Sequence, residues 1–135
     1  MSESTQHIEL VGRIIPYIST NLTHLDGLVV IHDLPSSLGD EKPPRVGGYV
    51  PDVYGIRTPA TFTVIGEAKT FQDLETSRSR SQLGAYLSFL ASEQDGLLLV
   101  SVPWVAAVRA RILLGQLSQD LPKKVKTIVL DGVTA

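Results

Sequence analysis

The sequence predicts an α/β domain in which one central mixed sheet is flanked by helices. Segments with helical spacing of apolar residues alternate with short apolar or β-branched runs, which gives the order αβββαβαβ. A chain of 135 residues is long enough to bury one substantial core and too short for two. We therefore expect residues 1–135 to form a single domain.

The first part of the chain is expected to contain a helix, a strand and a long loop. A helix is predicted over 5–21, in which Pro16 should kink or interrupt the turns. The β-branched run at 28–31 predicts a strand, and residues 34–48, with three prolines and three glycines, predict a loop that is irregular and functional or mobile. The expected apolar stripe of the helix consists of Ile8, Val11, Ile15, Ile18 and Leu22.

A β-hairpin and two further helix–strand pairs are expected after this loop. Residues 49–56 and 61–70 should form the hairpin around a turn at 58–61. The remaining helices are predicted from apolar periodicity and the remaining strands from two apolar runs, 96–102 and 125–130. The run at 96–102 is typical of a strand buried on both faces. They are a helix at 79–92 with Leu83, Tyr86, Leu87 and Leu90 on one face, a strand at 96–102, a helix at 104–117 and a strand at 125–130.

Composition excludes several classes of protein. The chain has no cysteine, which removes disulfides, thiolate nucleophiles and cysteine zinc sites. Its start lacks the pattern of a signal peptide, and its longest apolar stretch, 97–108, is too short to cross a membrane. We therefore expect a cytoplasmic protein without a membrane partner. His7, His24 and His32 lack metal-ligand spacing and are expected in loops or at edges.

Two acidic residues and a lysine are predicted to meet on the hairpin. Glu67 and Lys69 lie two positions apart on a strand and must point to the same face, whereas Ala68 points to the other. A turn centred between residues 59 and 60 places Asp52 opposite Glu67, with their Cβ atoms about 5 Å apart. Two carboxylates at that distance repel each other unless a cation or a shared proton lies between them.

These residues resemble the active-site signature of the PD-(D/E)xK nuclease superfamily. Pro51-Asp52 and Glu67-Ala68-Lys69 fall on the second and third strands, as in that superfamily, and Gln82-Leu83-Gly84-Ala85-Tyr86 is similar to the Gln-x-x-x-Tyr motif of some of its branches. The resemblance covers roughly residues 5–102. It implies a restriction-endonuclease-like fold with an αβββαβ core, and a nuclease that hydrolyses phosphodiester bonds.

The resemblance also implies roles for individual residues. Asp52, Glu67 and the backbone carbonyl of Ala68 would bind Mg²⁺, with Mn²⁺ as a substitute, because these hard cations prefer oxygen ligands. Lys69 would orient the attacking water and offset negative charge on the phosphate. The alternative is a surface ladder in which Lys69 only neutralises two exposed acids.

Three further residues are candidates for the same site. Gln82 and Tyr86 share a helix face and would contact Lys69 or the nucleic-acid backbone, although Tyr86 also suits a core position. Glu9 falls where many superfamily members carry an additional acid. Its alternative is a simple helical ion pair with Arg13.

Basic residues near the motifs indicate a polyanionic partner, or else ordinary solvated loops. We expect DNA as the substrate, with specificity that comes from DNA structure, from a partner protein or from a second copy of the chain. The 104–117 helix is apolar enough to predict a homodimer that uses this helix or the last strand, and 34–48 would then be a flap over nucleic acid. The alternative is that the helix is simply buried within one chain. A catalytically inactive nuclease-fold subunit or binding module is the alternative function. The expected nucleic-acid-binding residues are Lys42, Arg45, Arg57, Arg78 and Arg80.

Overall fold

A computed structural model describes residues 5–22, 27–33, 42–57 and 62–133 of the chain. These residues form the helices and strands of an α/β domain, and a 3-10 turn at Trp104–Ala106 precedes the last helix. The helices are α1 Thr5–Asn21, α2 Phe71–Leu74, α3 Ser77–Ala91 and α4 Ala107–Leu117, and the strands are β1 Val29–His32, β2 Val53–Arg57, β3 Phe62–Ala68, β4 Asp95–Ser101 and β5 Val125–Leu130.

The five strands form one mixed sheet in the order β1-β2-β3-β4-β5. Strands β1, β2 and β3 are antiparallel neighbours, whereas β3, β4 and β5 run parallel. Val53 pairs with Gly66 and Arg57 with Phe62, which confirms the register expected from a turn centred between residues 59 and 60. The turn itself, 58–61, lies outside the described residues.

Helix α1 covers one face of the sheet, although its buried stripe differs from the predicted one. Val11 and Ile18 are buried as expected, but Leu10 and Ile14 are buried instead of Ile8 and Ile15. The cause is a close approach at Gly66, where an added Cβ would lie 2.8 Å from Ile14 Cγ2. This contact rotates Ile14 towards the sheet and turns Ile15 to the side.

Pro16 does not interrupt α1, contrary to one of the expectations. The proline lies on the exposed side of the helix, as does Gly12, whose carbonyl loses its helical donor there. Because water can reach that carbonyl, the helix continues through the proline without leaving a buried polar group unpaired.

Helices α3 and α4 cover the opposite face. The predicted stripe of α3 is confirmed, since Leu83, Tyr86, Leu87 and Leu90 are all fully buried. Strand β4 is buried on both faces, as expected: Leu97 and Leu99 pack in the cluster under α1, whereas Leu98 and Val100 pack under α3 and α4. Both helices lie on one face because consecutive right-handed crossovers in a parallel sheet place them there.

Two local features differ from the expected elements. Thr70 and Asp73 form a capping box that begins the short helix α2, which the sequence analysis did not include. Strand β2 begins at Val53, and Tyr49 instead pairs with Val46 across a turn at Gly47 and Gly48. Of the predicted irregular loop, residues 42–45 have no regular secondary structure, as expected, and Val46 begins the turn, while residues 34–41 lie outside the described ranges.

No helix in the described ranges is long and apolar enough to cross a membrane.

Candidate active site

The predicted acidic residues and lysine meet at one end of the sheet. Asp52 immediately precedes β2, Glu67 is the penultimate residue of β3, and Lys69 directly follows that strand. The antiparallel register brings the start of β2 beside the end of β3. The backbone N–H of Asp52 donates to Glu67 Oε1 at 3.3 Å, so the two motifs are in direct contact.

Glu67 is buried within a set of hydrogen-bond donors. Its side chain points to the face covered by α3, where Tyr86 OH donates to Oε1 at 3.3 Å and Gln82 Nε2 donates to Oε2 at 3.3 Å. Lys69 Nζ lies 3.7 Å from Oε2. Glu67 and Lys69 are only 5% and 9% exposed, so the surface-ladder alternative is wrong.

Gln82 links the lysine to the tyrosine. Its side-chain carbonyl accepts a hydrogen bond from the Lys69 ammonium, and its amide nitrogen also lies 3.1 Å from Tyr86 OH. The ring of Tyr86 belongs to the core under α3 and α4, while its hydroxyl reaches Glu67. Tyr86 therefore occupies a core position, as one of its two interpretations expected, and its hydroxyl also contacts the cluster.

Asp52 forms the solvent-facing side of the cluster. Its Oδ2 accepts from the Ala68 N–H at 2.9 Å, and its Oδ1 lies 3.2 Å from His7 Nε2. The side chains of Asp52 and His7 are 17% and 28% exposed, which makes them the open edge of an otherwise closed group.

His7 is a site residue that the sequence analysis missed. It was expected in a loop or at an edge, yet it lies in the first turns of α1 and contacts Asp52 from 45 positions away. No spacing in the sequence marks this contact, because it depends on where α1 crosses the sheet.

Glu9 does not join the cluster among the described contacts. It lies 3.7 Å from Arg13 one helical turn later, and its side chain is 67% exposed. The helical ion pair considered as its alternative is therefore the arrangement that forms. Arg13 also donates to the Val102 carbonyl at 3.1 Å, which ties α1 to the end of β4.

Burial and charge alter the acidity of the cluster. Burial, and then the neighbouring Asp52 carboxylate, raise the pKa of Glu67 to about 8, although the charge of Lys69 acts in the opposite direction. The pKa of Tyr86 is also raised, first by burial and then by the charge of Glu67. Burial therefore favours the protonated form of Glu67 at neutral pH in the metal-free protein, in spite of the nearby Lys69 ammonium.

The oxygen donors of the cluster fit the magnesium site that the resemblance implies. The N–H of Ala68 faces Asp52, and the carbonyl of a strand residue points to the same neighbouring strand as its N–H. Two carboxylates and this carbonyl are hard oxygen ligands of the kind that Mg²⁺ prefers. Within the described ranges, no group of three or more His, Cys, Asp or Glu side chains has an arrangement that could hold a metal ion.

The expected nucleic-acid-binding residues lie in different places. Lys42 pairs with Asp33 at 3.3 Å, and Arg45 donates to the Gly48 carbonyl at 2.9 Å. Both side chains belong to the ordered turn that precedes Asp52. Arg57 lies at the far end of β2, about 17 Å along the strand from Asp52, so it does not approach the cluster.

Arg78 and Arg80 lie at the start of α3. The Arg78 guanidinium stacks over Tyr49 at 5.2 Å from the ring centre, and the Tyr49 ring meets Tyr86 edge-on at 6.4 Å. Arg80 is exposed on the same helix. Arg78 is therefore connected to the cluster through two aromatic rings.

The segment 42–50, which contains the turn at Gly47 and Gly48, packs closely on α3. Val46 is 3% exposed and belongs to the core under α3 and α4. Gly47 has a positive φ of 59°, and an added Cβ there would lie 2.7 Å from Ala85 Cβ. Only glycine fits this position, because both the backbone conformation and the contact exclude a side chain.

Comparison of the chain with protein-family models, with curated proteins and with solved structures finds no match in any of the three.

Proposed function

We propose that the protein is a Mg²⁺-dependent nuclease of the restriction-endonuclease-like fold that hydrolyses phosphodiester bonds in DNA. One observation supports this most directly: Lys69 is held by Gln82 beside the carboxylate of Glu67, next to Asp52. A buried lysine fixed next to two acids suits the hydrolysis of a phosphate ester, which needs ligands for a cation and a positive charge near the phosphate.

In this proposal Asp52, Glu67 and the Ala68 carbonyl hold the cation. When bound, Mg²⁺ would make a water more acidic and neutralise charge on the phosphate. Lys69 is a compact point charge that orients the attacking water and stabilises the transition state. Its neighbours on α3 leave the ammonium little freedom, so its position is set before substrate arrives.

Gln82 and Tyr86 keep this arrangement in place. The amide of Gln82 has an acceptor for Lys69 and a donor for Glu67, so it fixes both charged groups at once. Tyr86 donates to the second oxygen of Glu67. The open edge at Asp52 and His7 is where a phosphate would enter, because the other members of the cluster are buried.

Specificity is proposed to come from DNA structure, from a partner protein or from a second copy of the chain. In this proposal the 135 residues that carry the cluster include no separate unit that reads base edges, so another source of specificity is needed. The homodimer and the cytoplasmic location remain predictions.

An inactive nuclease-fold subunit or binding module is the second candidate. The burial of Glu67 and its pKa of about 8 favour it, because a protonated acid is a poor ligand for a cation. Binding of nucleic acid without cleavage would then be the function of the site.

Cleavage of labelled duplex, branched and single-stranded DNA in Mg²⁺ or Mn²⁺ separates the two candidates. Lys69→Ala should abolish cleavage but retain metal binding by calorimetry, since the lysine acts on water and phosphate. Lys126→Ala, an exposed lysine on β5, is the matched control and should cleave normally.

Asp52→Asn should lose metal binding and cleavage together. Wild-type protein that cleaves none of these substrates, with either metal, would exclude the nuclease in favour of the binding module.

A further inference from the structure

A groove lies directly beside the cluster at the end of the sheet. Its walls come from the start of α1, the β3–α2 connection and the β4–α4 connection, and its volume is 340 Å³. We call it the Phe71 groove, and its lining residues are Gln6, Thr70, Phe71, Gln72, Pro103 and Val105.

Two lining residues of the groove are chain neighbours of cluster residues, although none of the six lining residues belongs to the cluster itself. Thr70 follows Lys69 in the chain, and Gln6 precedes His7. A group bound in the groove is therefore a neighbour of a phosphate held at the cluster. A volume of 340 Å³ is at the small end of ligand sites, which suits one part of an extended substrate.

The exposed aromatic residue of the groove stands on a backbone that is held in place. Phe71 is the first residue of α2 and is 45% exposed. The Thr70 hydroxyl accepts from the Asp73 N–H at 3.1 Å, and the Asp73 carboxylate accepts from the Thr70 N–H at 3.0 Å. Leu74 anchors the other end of the helix in the core. The backbone that carries Phe71 is thus fixed, which lowers the entropic cost of stacking a ligand on the ring.

The chemistry of the lining selects a flat, uncharged and polar ligand. Phe71, Pro103 and Val105 supply apolar surface, while Gln6, Thr70 and Gln72 supply amide and hydroxyl groups. None of these six side chains is charged, so the groove itself has no partner for a phosphate. A nucleobase matches it, because a base stacks on an aromatic ring and forms hydrogen bonds at its edge.

We propose that the Phe71 groove binds an unpaired base of the DNA strand whose phosphate lies at the cluster. This inference rests on the proposed function and names its substrate class, which is single-stranded DNA or DNA with an overhang or a flap. A base in a duplex is already stacked and paired, and its extrusion costs a few kcal/mol. The groove therefore favours strands whose bases are free.

The single tryptophan of the chain gives a direct readout of binding. Trp104 lies between Pro103 and Val105 and is 68% exposed, so a base that enters the groove should quench its fluorescence. The probes are an oligothymidylate of about 12 nucleotides and a blunt duplex of the same length. Titrations are carried out with Ca²⁺ and repeated with EDTA, and intact probe is verified by electrophoresis.

We expect the single strand to bind more tightly than the duplex. Phe71→Ala should weaken binding of the single strand by about 5- to 150-fold, because a base–aromatic stack is worth about 1–3 kcal/mol. Phe71→Tyr keeps the ring and should restore the affinity. Val29→Ala is the control, because Val29 is 59% exposed on β1 at the other end of the sheet.

The results separate this inference from the proposed function. Loss of single-strand binding in Phe71→Ala, with rescue by Phe71→Tyr, supports the groove even if the protein cleaves nothing. Equal affinity of wild type for single strand and duplex, or wild-type affinity in Phe71→Ala, overturns the groove even if the protein cleaves DNA. A molecular mass that falls in Phe71→Ala, without any preference for single strands, would assign the groove to a second copy and also overturn it.

Discussion

The side-chain carbonyl of Gln82 accepts a hydrogen bond from the ammonium of Lys69 across 13 positions of sequence. The same amide donates to Glu67, so a single neutral side chain holds two buried ionisable groups. Buried polar and ionisable groups need such hydrogen bonds to offset the cost of removing them from water.

Gln82→Ala should therefore reduce stability as well as activity. The change leaves the Lys69 ammonium and the Glu67 carboxyl group without a shared partner, and we expect a loss of about 1–3 kcal/mol in the free energy of unfolding. Urea denaturation measures this loss, with Gln116→Ala as the control because Gln116 is exposed on α4. Equal stability of the two variants would contradict the holding role of Gln82.

Stability in metal-free buffer should fall as the pH rises from about 4.5 to 8. The pKa of Glu67 is about 8 in the folded chain and near 4.5 when exposed. Between those values the folded state binds more protons than the unfolded state, so a rise in pH favours unfolding. The contribution of Glu67 is at most about 1.4 kcal/mol per pH unit.

Glu67→Gln isolates this contribution. The variant cannot ionise at position 67, so its stability should fall less steeply over the same range when denaturation is measured at several pH values. Mg²⁺ should restore stability to the wild type at pH 8, because a ligand that binds only the folded state stabilises it. Parallel pH profiles of the two proteins would rule out a raised pKa of Glu67.

His7→Ala and Glu9→Ala should differ, although both residues lie on the first turns of α1. His7 hydrogen-bonds Asp52, and loss of a residue that orients a metal ligand typically costs 10- to 100-fold in metal affinity or activity. Glu9 is exposed and pairs with Arg13, so its loss should change metal affinity little. Calorimetry with Mn²⁺ measures the metal affinity of both variants. An equal loss of affinity in the two would show that Glu9 also acts on the metal site and would contradict this prediction.

Lys42 and Arg45 are expected to contact phosphate on the turn that precedes Asp52. Their double alanine variant should bind DNA more weakly whatever its sequence, and its dependence on salt should be flatter by about one unit of slope per lost contact. Lys123 and Lys126 are exposed where β5 begins, at the far end of the sheet. The double alanine variant of Lys123 and Lys126 should keep the wild-type salt dependence. If the wild type and both double variants share the same salt dependence, Lys42 and Arg45 do not contact DNA.

The predicted homodimer would use an exposed apolar stripe at α4. Trp104, Val108 and Ile112 are 68%, 67% and 48% exposed, and they succeed one another at one-turn intervals. Light scattering at micromolar concentration should give the mass of two chains for wild type and of one chain for Val108→Lys. A single-chain mass for the wild type, without nucleic acid, would exclude the homodimer.

Local patterns predicted the fold well where the residues that decide it are close in sequence. The bounds of α1 and β5 agree with those expected, and the hairpin register followed from the position of one turn. The contact of Asp52 with Glu67 followed from that register. The capping box of α2 can also be read from the sequence, because Thr70 and Asp73 have the spacing of such a box.

Features that depend on how the helices pack on the sheet could not be predicted from local sequence patterns. The buried stripe of α1 is set by the missing side chain of Gly66, which lies on a distant strand. His7 reaches the cluster for the same reason, since α1 must first be placed on the sheet. Arg57 is different: the length of β2 was already enough to place it far from Asp52.

The contact of Gly47 with Ala85 makes the position of Asp52 adjustable from outside the cluster. Four residues, 48–51, lie between Gly47 and Asp52, and none of them belongs to a helix or a strand. A bulkier residue at position 85 would push the turn away from α3. Because the connection from the turn to Asp52 is short, this movement would shift Asp52 while all the residues of the cluster remain unchanged. The size of the side chain at position 85 would therefore set the position of Asp52 by degrees, without any substitution in the cluster itself.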